Sequence, residues 1–278
     1  MLNLLPILLQ AAQPHAVPSM CWQVDWCAPA EPFRIVGNVH YVGTKGLSAF
    51  LITDPNGHVL IDGGLPQSAG LIAANVEKLG FKLKDVRYLL INHAHFDHAG
   101  GLAELKRLSG AELVASRRDA GDLAAGAARH RPEQPTVPPV RVDRQITDGA
   151  ILRLGAIRLT AKLTPGHTPG ATSWLLSSAE NGRPLDVLFV SSLTVAGLKL
   201  PGHPGYPNAA ADFRATFAKL KAMRADVFLT FHPSSFALDE KRARTGARVN
   251  PFIDPSELPR RVQAAEAAFG AEVAKAGQ

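Results

Sequence analysis

Residues 93–98 read His-Ala-His-Phe-Asp-His, which places four side chains able to ligate a metal within six positions. Imidazole and carboxylate donors without thiolate suit zinc in an open site, where fewer than four protein ligands leave room for solvent. The cluster directly follows the apolar run Val-Arg-Tyr-Leu-Leu-Ile at 86–91. That run is short, β-branched and aromatic, and reads as a buried strand that delivers the cluster to a rim. In extended backbone, residues i and i+2 point to one side, so His93 and His95 are placed to grip one ion while Asp97 and His98, past a bend, face a neighbouring one. The pattern is half of a two-metal hydrolytic site. The competing reading, hydrogen-bonded structural histidines at a strand end, is weaker, because so dense a group of polar side chains is hard to satisfy without a cation. The helical zinc-protease spacing His-Glu-x-x-His is absent.

The His-x-His-x-Asp-His run resembles the signature of the metallo-β-lactamase superfamily, whose members add one histidine after a later strand and another in the C-terminal third. This chain supplies His167, in the turn-rich Thr-Pro-Gly-His-Thr-Pro-Gly after strand-like residues 157–163, and His232, after strand-like residues 226–231. The resemblance covers about residues 33–237. It implies an α/β fold, a four-layer αββα sandwich with the metal site at one edge of its two sheets. It also implies two zinc ions per chain, the first on His93, His95 and His167 and the second on Asp97, His98 and His232.

Many reactions share this fold, so the substrate must be read from the site. Glyoxalase-like hydrolases, lactonases and transfer-RNA-processing nucleases place a metal-bridging aspartate at the end of the strand that here covers 186–190. This chain has Ser191-Ser192-Leu193-Thr194 instead. That departure resembles the third subclass of the class B metallo-β-lactamases, in which serine stands where the first two subclasses use a thiolate. The only cysteines, Cys21 and Cys27, lie far upstream of the motif. The second subclass has asparagine at the position of His93, and the iron-binding oxidoreductases of the superfamily carry glutamate at that of His95. Residues 59–64, 43–51 and 202–207 with Tyr206 also look like the third subclass.

The resemblance implies a zinc-dependent hydrolase that opens the lactam ring of penicillins, cephalosporins and carbapenems by a zinc-bound hydroxide, conferring antibiotic resistance. Asp97 is the expected catalytic residue, orienting the nucleophile. Ser192 and Thr194 are expected to hold the substrate carboxylate, although Ser191 and Ser192 also read as small residues ending a strand. Neither serine sits in a Ser-x-x-Lys or Gly-x-Ser-x-Gly context, so no acyl-enzyme is expected. Asp62, before Gly63-Gly64, reads either as a residue that orients ligands or as a turn residue. The alternative functions are another hydrolase of the fold, acting on lactones, thioesters or phosphodiesters, and a zinc-binding protein without turnover.

The elements expected to position these residues alternate along the chain. A hairpin over 47–62 turns at Pro55-Asn56-Gly57, a helix with Leu71, Ile72, Val76 and Leu79 on one stripe stops at Gly80, and a second helix covers 101–108. Strands follow at 112–115, 151–154, 157–163, 173–176 and 187–190, then helices with Phe213, Phe217 and Leu220, and over 258–274. The proline-rich stretch 132–139 is an irregular rim loop.

With 278 residues, 46% hydrophobic and 19% charged, the chain is able to bury one large core, and residues 17–278 form a single expected domain. Residues 1–16 resemble a leader for export, with an apolar stretch at 2–9 but no preceding Lys or Arg, and imply a periplasmic protein. In such a compartment Cys21 and Cys27 either close a small loop or remain thiols packed with Trp22 and Trp26. The net charge of +6 is dispersed, and aromatics make up 6%, so no stacking platform for nucleic acid emerges. A monomer without nucleic-acid or membrane partners, acting on a small molecule, is expected. His15, His40, His58, His130 and His203 fall off the motif and read as hydrogen-bonded residues, with His203 alone near the expected cleft.

Overall fold

The computed structural model describes residues 19–246 and 249–276; the expected leader at 1–16 lies outside them. One sheet holds seven strands in chain order: β1 (Phe33–Val36), β2 (Val39–Tyr41), β3 (Phe50–Ile52), β4 (His58–Ile61), β5 (Val86–Leu90), β6 (Glu112–Ser116) and β7 (Arg144–Ile146). The other holds β8 (Ile151–Leu154), β9 (Ile157–Leu163), β10 (Thr172–Glu180), β11 (Arg183–Val190) and β12 (Val227–Thr230), in the order β12-β11-β10-β9-β8. The helices are α1 (Val24–Cys27), α2 (Ser68–Lys78), α3 (Phe96–Ala99), α4 (Leu102–Ser109), α5 (Arg117–Ala125), α6 (Ala209–Lys221), α7 (Leu238–Ala243) and α8 (Glu257–Ala276).

Side-chain alternation explains the layering. In β3 and β4, Phe50, Ile52, Val59 and Ile61 face the core between the sheets, while Leu51 and Leu60 join the cluster beneath α2 and α4. The inter-sheet core takes Leu159, Ala161, Trp174, Leu176 and Phe189 from the second sheet, and Phe213, Phe217 and Phe269 of α6 and α8 complete that side. Helices therefore cover both outer faces, giving the αββα sandwich. Each fully buried aromatic of this kind contributes about 1.5–3 kcal/mol of transfer free energy.

The two sheets differ in how their strands connect. β4, β5, β6 and β7 are mutually parallel, so their C-terminal ends share one edge. β8 to β11 form an antiparallel meander, and only β12 returns parallel, after the crossover through α6. The strands expected at 173–176 and 187–190 extend to Thr172–Glu180 and Arg183–Val190. Gly182, with φ of 78°, lets this hairpin close without a bulky turn, and register runs from Trp174 opposite Phe189 to Glu180 opposite Arg183.

Candidate metal centre

The chain segment before the ligand cluster is fixed from both sheets. Trp174 Nε1 in the core donates to the Ile91 carbonyl at 3.2 Å, and the Asn92 carbonyl accepts Thr172 N–H at 2.7 Å and Ser191 Oγ at 3.2 Å. Asn92 N–H donates to Asp62 Oδ1 at 2.9 Å. His95 is itself extended and directly precedes α3, so Asp97 and His98 occupy a single helical turn. Close backbone approach at the next turn requires glycine: a Cβ on Gly101 would stand 2.3 Å from the Gly63 carbonyl, and one on Gly63 2.8 Å from Leu102 N.

His167 arrives from the loop after β9, closed by Thr164 N–H to the Ala171 carbonyl at 2.8 Å. His232 leaves the end of β12, beside the parallel β11 that delivers Ser191 and Ser192. The six side chains expected to bind metal thus come from three chain segments, after β5, β9 and β12. Ligand atoms of His93, His95 and His167 lie within 4.8 Å of one another, as do those of His93, Asp97 and His98. His98 Nε2 stands 3.3 Å from Asp97 Oδ2, and His232 Nε2 3.5 Å from the same oxygen. All but half-buried His232 are buried.

Contacts on the outer side of each ring leave the inner side for a cation. His98 Nδ1 meets Asp62 Oδ2 at 2.9 Å, His167 Nδ1 donates to the Thr194 carbonyl at 2.7 Å, and His93 Nδ1 meets Asn92 Oδ1. His93 Nε2 is buried with no hydrogen-bond partner, a cost that a bound cation would remove. Burial pushes His167 and His232 down to about 4 and holds His93 and His95 well below the usual imidazole range, so all four present neutral lone pairs. Burial also disfavours charge on Asp97, but His98 outweighs it and keeps the carboxyl ionised, well below the usual carboxylate range. His98 itself, against the effect of burial, is raised to about 10 by Asp97 and Asp62. A divalent cation held by these residues would supply the counter-charge to the carboxylates in place of that proton.

Other residues singled out in the sequence lie around this centre. Ser191 is buried and turned inward, its Oγ 3.1 Å from Asn92 Oδ1, so it is part of the scaffold. Ser192 Oγ and Thr194 Oγ1 are 3.1 Å apart and both line a cleft of about 270 Å³ that also touches His93, His98, His232 and Arg261. Asp62 is fully buried and adopts φ of 69°, so it serves both readings: it turns the chain and orients His98. Cys21 and Cys27 are disulfide-bonded. The loop they close sets Trp22 5.8 Å from Phe96 and Trp26 5.8 Å from His232, forming an aromatic rim. The proline-rich loop reaches this rim through Val137, which packs with Met20, Leu47 and Leu65.

His130, read as a hydrogen-bonded residue off the motif, is one, but it stands at the ligand cluster. It is buried, and its Nε2 lies 3.4 Å from His95 Nε2. His203, singled out in the sequence, donates or accepts nothing at the cluster; its Nδ1 accepts Gly205 N–H at 3.2 Å. Asp119 and Asp122 in α5 were also not read from the sequence. Asp119 Oδ2 accepts Ala94 N–H at 3.0 Å, between the two leading ligands, and sequence offered no motif for it.

A histidine-rich, carboxylate-containing cluster at one edge of a four-layer α/β sandwich makes a candidate metal centre, and the solved neighbours with this architecture make the class a hydrolase. The chain belongs to the metallo-beta-lactamase superfamily, whose family model matches residues 43–232. It is similar to the solved structure of BJP-1, a subclass B3 metallo-beta-lactamase of Bradyrhizobium japonicum, with 42% identity and a TM-score of 0.87 over 91% of this chain and 97% of that one. It is 32% identical to the hydroxyacylglutathione hydrolase of Rhodopseudomonas palustris (strain BisB5) over 50% of this chain and 47% of that protein, so it aligns with about half the length of that relative. With the N-acyl homoserine lactonase AttM of Azorhizobium caulinodans (strain ORS 571) it shares 25% identity over 76% of this chain and 82% of the lactonase.

Proposed function

We propose that the protein is a zinc-dependent β-lactam hydrolase that opens the ring of penicillins, cephalosporins and carbapenems and so confers antibiotic resistance. His93, His95 and His167 hold one zinc ion, and Asp97, His98 and His232 hold the other. When bound, the ions supply Lewis acidity, lowering the pKa of coordinated water to about 7 and polarising the lactam carbonyl. Asp97, ionised and within 3.5 Å of both His98 and His232, orients the attacking water. Ser192 and Thr194, side by side on the cleft wall, bind the substrate carboxylate. Trp26, packed against Phe96 and His232, walls one flank of the centre.

The observation that carries this reading is the end of β11. Ser191 and Ser192 stand there, Ser191 is committed to Asn92, and among the described residues Asp97 is the one carboxylate in either candidate ligand group. Hydrolases of thioesters and lactones in this fold would need a second, bridging carboxylate. The test is turnover of a chromogenic cephalosporin and a carbapenem, with and without chelator, beside a lactone and a glutathione thioester. Chelator-sensitive loss of the β-lactam is expected; intact antibiotic alongside rapid lactone or thioester hydrolysis would favour the other hydrolases. Asp97→Ala is expected to lower kcat by at least about 100-fold while the first-site zinc content stays near that of the parent; equal loss of both would contradict an orienting role.

The Cys21–Cys27 disulfide supports export to the periplasm, since such bonds persist in oxidising compartments. No helix among the described residues is long and apolar enough to cross a membrane. The proposed working form is a monomer acting on a small molecule, without nucleic acid.

A further inference from the structure

His95 differs from the other ligands in what holds its outer nitrogen. His93, His98 and His167 each lean on an oxygen, whereas His95 Nε2 faces another imidazole, His130 Nε2, at 3.4 Å. The two rings are nearly parallel, 5.4 Å apart with 21° between planes. On the far side of His130, Asp122 Oδ2 lies 3.5 Å from Nδ1, and Asp122 Oδ1 accepts Arg129 Nε at 2.5 Å. Asp122 and His130 are 5% and 4% exposed, so neither exchanges these contacts for water. His130 Nδ1 has no hydrogen-bond partner of its own, which leaves Asp122 as the group it faces.

We infer that Asp122 and His130 form a carboxylate–imidazole support that positions His95 and fixes its tautomer, so that His95 offers Nδ1 to the metal. The inference rests on the reading of His93, His95 and His167 as a metal site. A nitrogen whose lone pair holds a metal has none left for a hydrogen bond and carries no proton to donate. His95 therefore keeps its contact with His130 and ligates at the same time only through Nδ1, with Nε2 carrying the proton. His130 must then accept at Nε2, which places its own proton on Nδ1, toward the Asp122 carboxylate. Each link leaves one arrangement of protons, and the chain ends at a residue anchored by Arg129.

The surrounding loop is built to hold His130 in place. Arg131 Nη1 donates to the Ala196 carbonyl at 2.8 Å, joining this loop to the segment after β11. Gly205 lies against the His130 backbone so closely that a Cβ there would stand 2.7 Å from the His130 carbonyl. Tyr206 meets the His130 ring edge-on at 6.0 Å. His130 is thus a positioning residue, acting on the reaction only through His95.

The experiment compares the parent with His130→Leu, His130→Gln and Asp122→Asn. Cobalt(II) and zinc affinity are measured by competition with a chromophoric chelator, and thermal midpoints are taken with chelator present. His130→Leu removes the acceptor and is expected to weaken the tighter metal equivalent by about 10- to 100-fold. His130→Gln restores an acceptor oxygen and is expected to recover most of that loss, while the metal-free midpoints stay together. Nitrogen-15 spectra of the zinc-loaded parent should show His95 protonated at Nε2 and metal-bound at Nδ1. Equal affinities in the Leu variant and parent, an equal deficit in the Leu and Gln variants, or metal on His95 Nε2 would each overturn the inference. If His130→Leu does not fold, the Asp122→Asn affinity and the parent spectrum decide it. A parent that binds no metal would instead sink the reading of the site itself, a separate outcome.

Discussion

At the scale of single residues, the site is organised by Asp62. One buried carboxylate accepts the Asn92 backbone N–H, the Asn92 side-chain amide and His98 Nδ1. Asn92 in turn touches His93 Nδ1, so Asp62 aligns a ligand of each candidate metal group through contacts on one side of the strand end. Burial raises its pKa, and the proton shared with His98 offsets part of that cost. Removing one member of a buried charged pair costs about 3–5 kcal/mol because the other is left uncompensated. Asp62→Ala is therefore expected to lose stability of about that size in urea unfolding, and to weaken metal binding at the His98 side more than at the His95 side. A variant within about 1 kcal/mol of the parent would show that Asp62 is only a turn residue.

At the scale of elements, α5 carries the least expected chemistry. Its first turn is capped by Ser116 Oγ accepting Asp119 N–H at 3.2 Å, and Asp119 then reaches under the ligand loop to Ala94. Burial, reinforced by the nearby Asp122, raises the Asp119 carboxyl to about 7. The folded value lies above the unfolded value of about 3.9, so from roughly pH 4 to 7 the native protein holds a proton that the unfolded chain has released. Its contribution to stability is complete at acid pH and is lost as pH rises through that window. Asp119→Asn in the metal-loaded protein is expected to flatten this part of the stability profile; an unchanged slope between about pH 4.5 and 7.5 would show that the group is ionised throughout.

Why α5 was not legible in the sequence is itself physical. Its buried face consists of Asp119, Ala120, Asp122 and Leu123, so burial there has no apolar stripe to reveal it. The hairpin, α2, α4 and α8 were readable because their inward faces are apolar at the right period. The ligand cluster was readable because its donors are adjacent in sequence, and His167 and His232 because strands and turns flank them. His130 is joined to His95 only by tertiary folding, across a loop whose prolines conceal which side faces inward. The ends of β10 and β11 escaped for a related reason: residues 177–180 pair as strand, but Ser177 and Ala179 are exposed and the half-buried Ser178 and Glu180 are polar, so no apolar alternation marks them.

At the scale of the whole molecule, the candidate ligands come from both sheets, which already meet through apolar packing and through hydrogen bonds such as Trp174 and Ser191 to the 91–92 segment. His93, His95, Asp97 and His98 follow β5 of the first sheet, whereas His167 and His232 follow β9 and β12 of the second. A cation bound to both sets exists as a complete site only in the native state, so it stabilises folding by mass action. With free zinc at about a hundred times its dissociation constant the gain is about 2.7 kcal/mol, which for a domain of this size raises the thermal midpoint by about 5–10 °C. Chelation of the loaded protein is expected to lower the midpoint by that amount. His167→Ala, which cuts the first candidate group's link to the second sheet, is expected to shrink the response, with a midpoint near that of the chelated parent. If chelation left the parent unmoved, the sheets would be held by their hydrophobic core and direct hydrogen bonds without help from a cation. If His167→Ala responded as fully as the parent, the cation would sit within the first sheet's own loop and would not clasp the two halves.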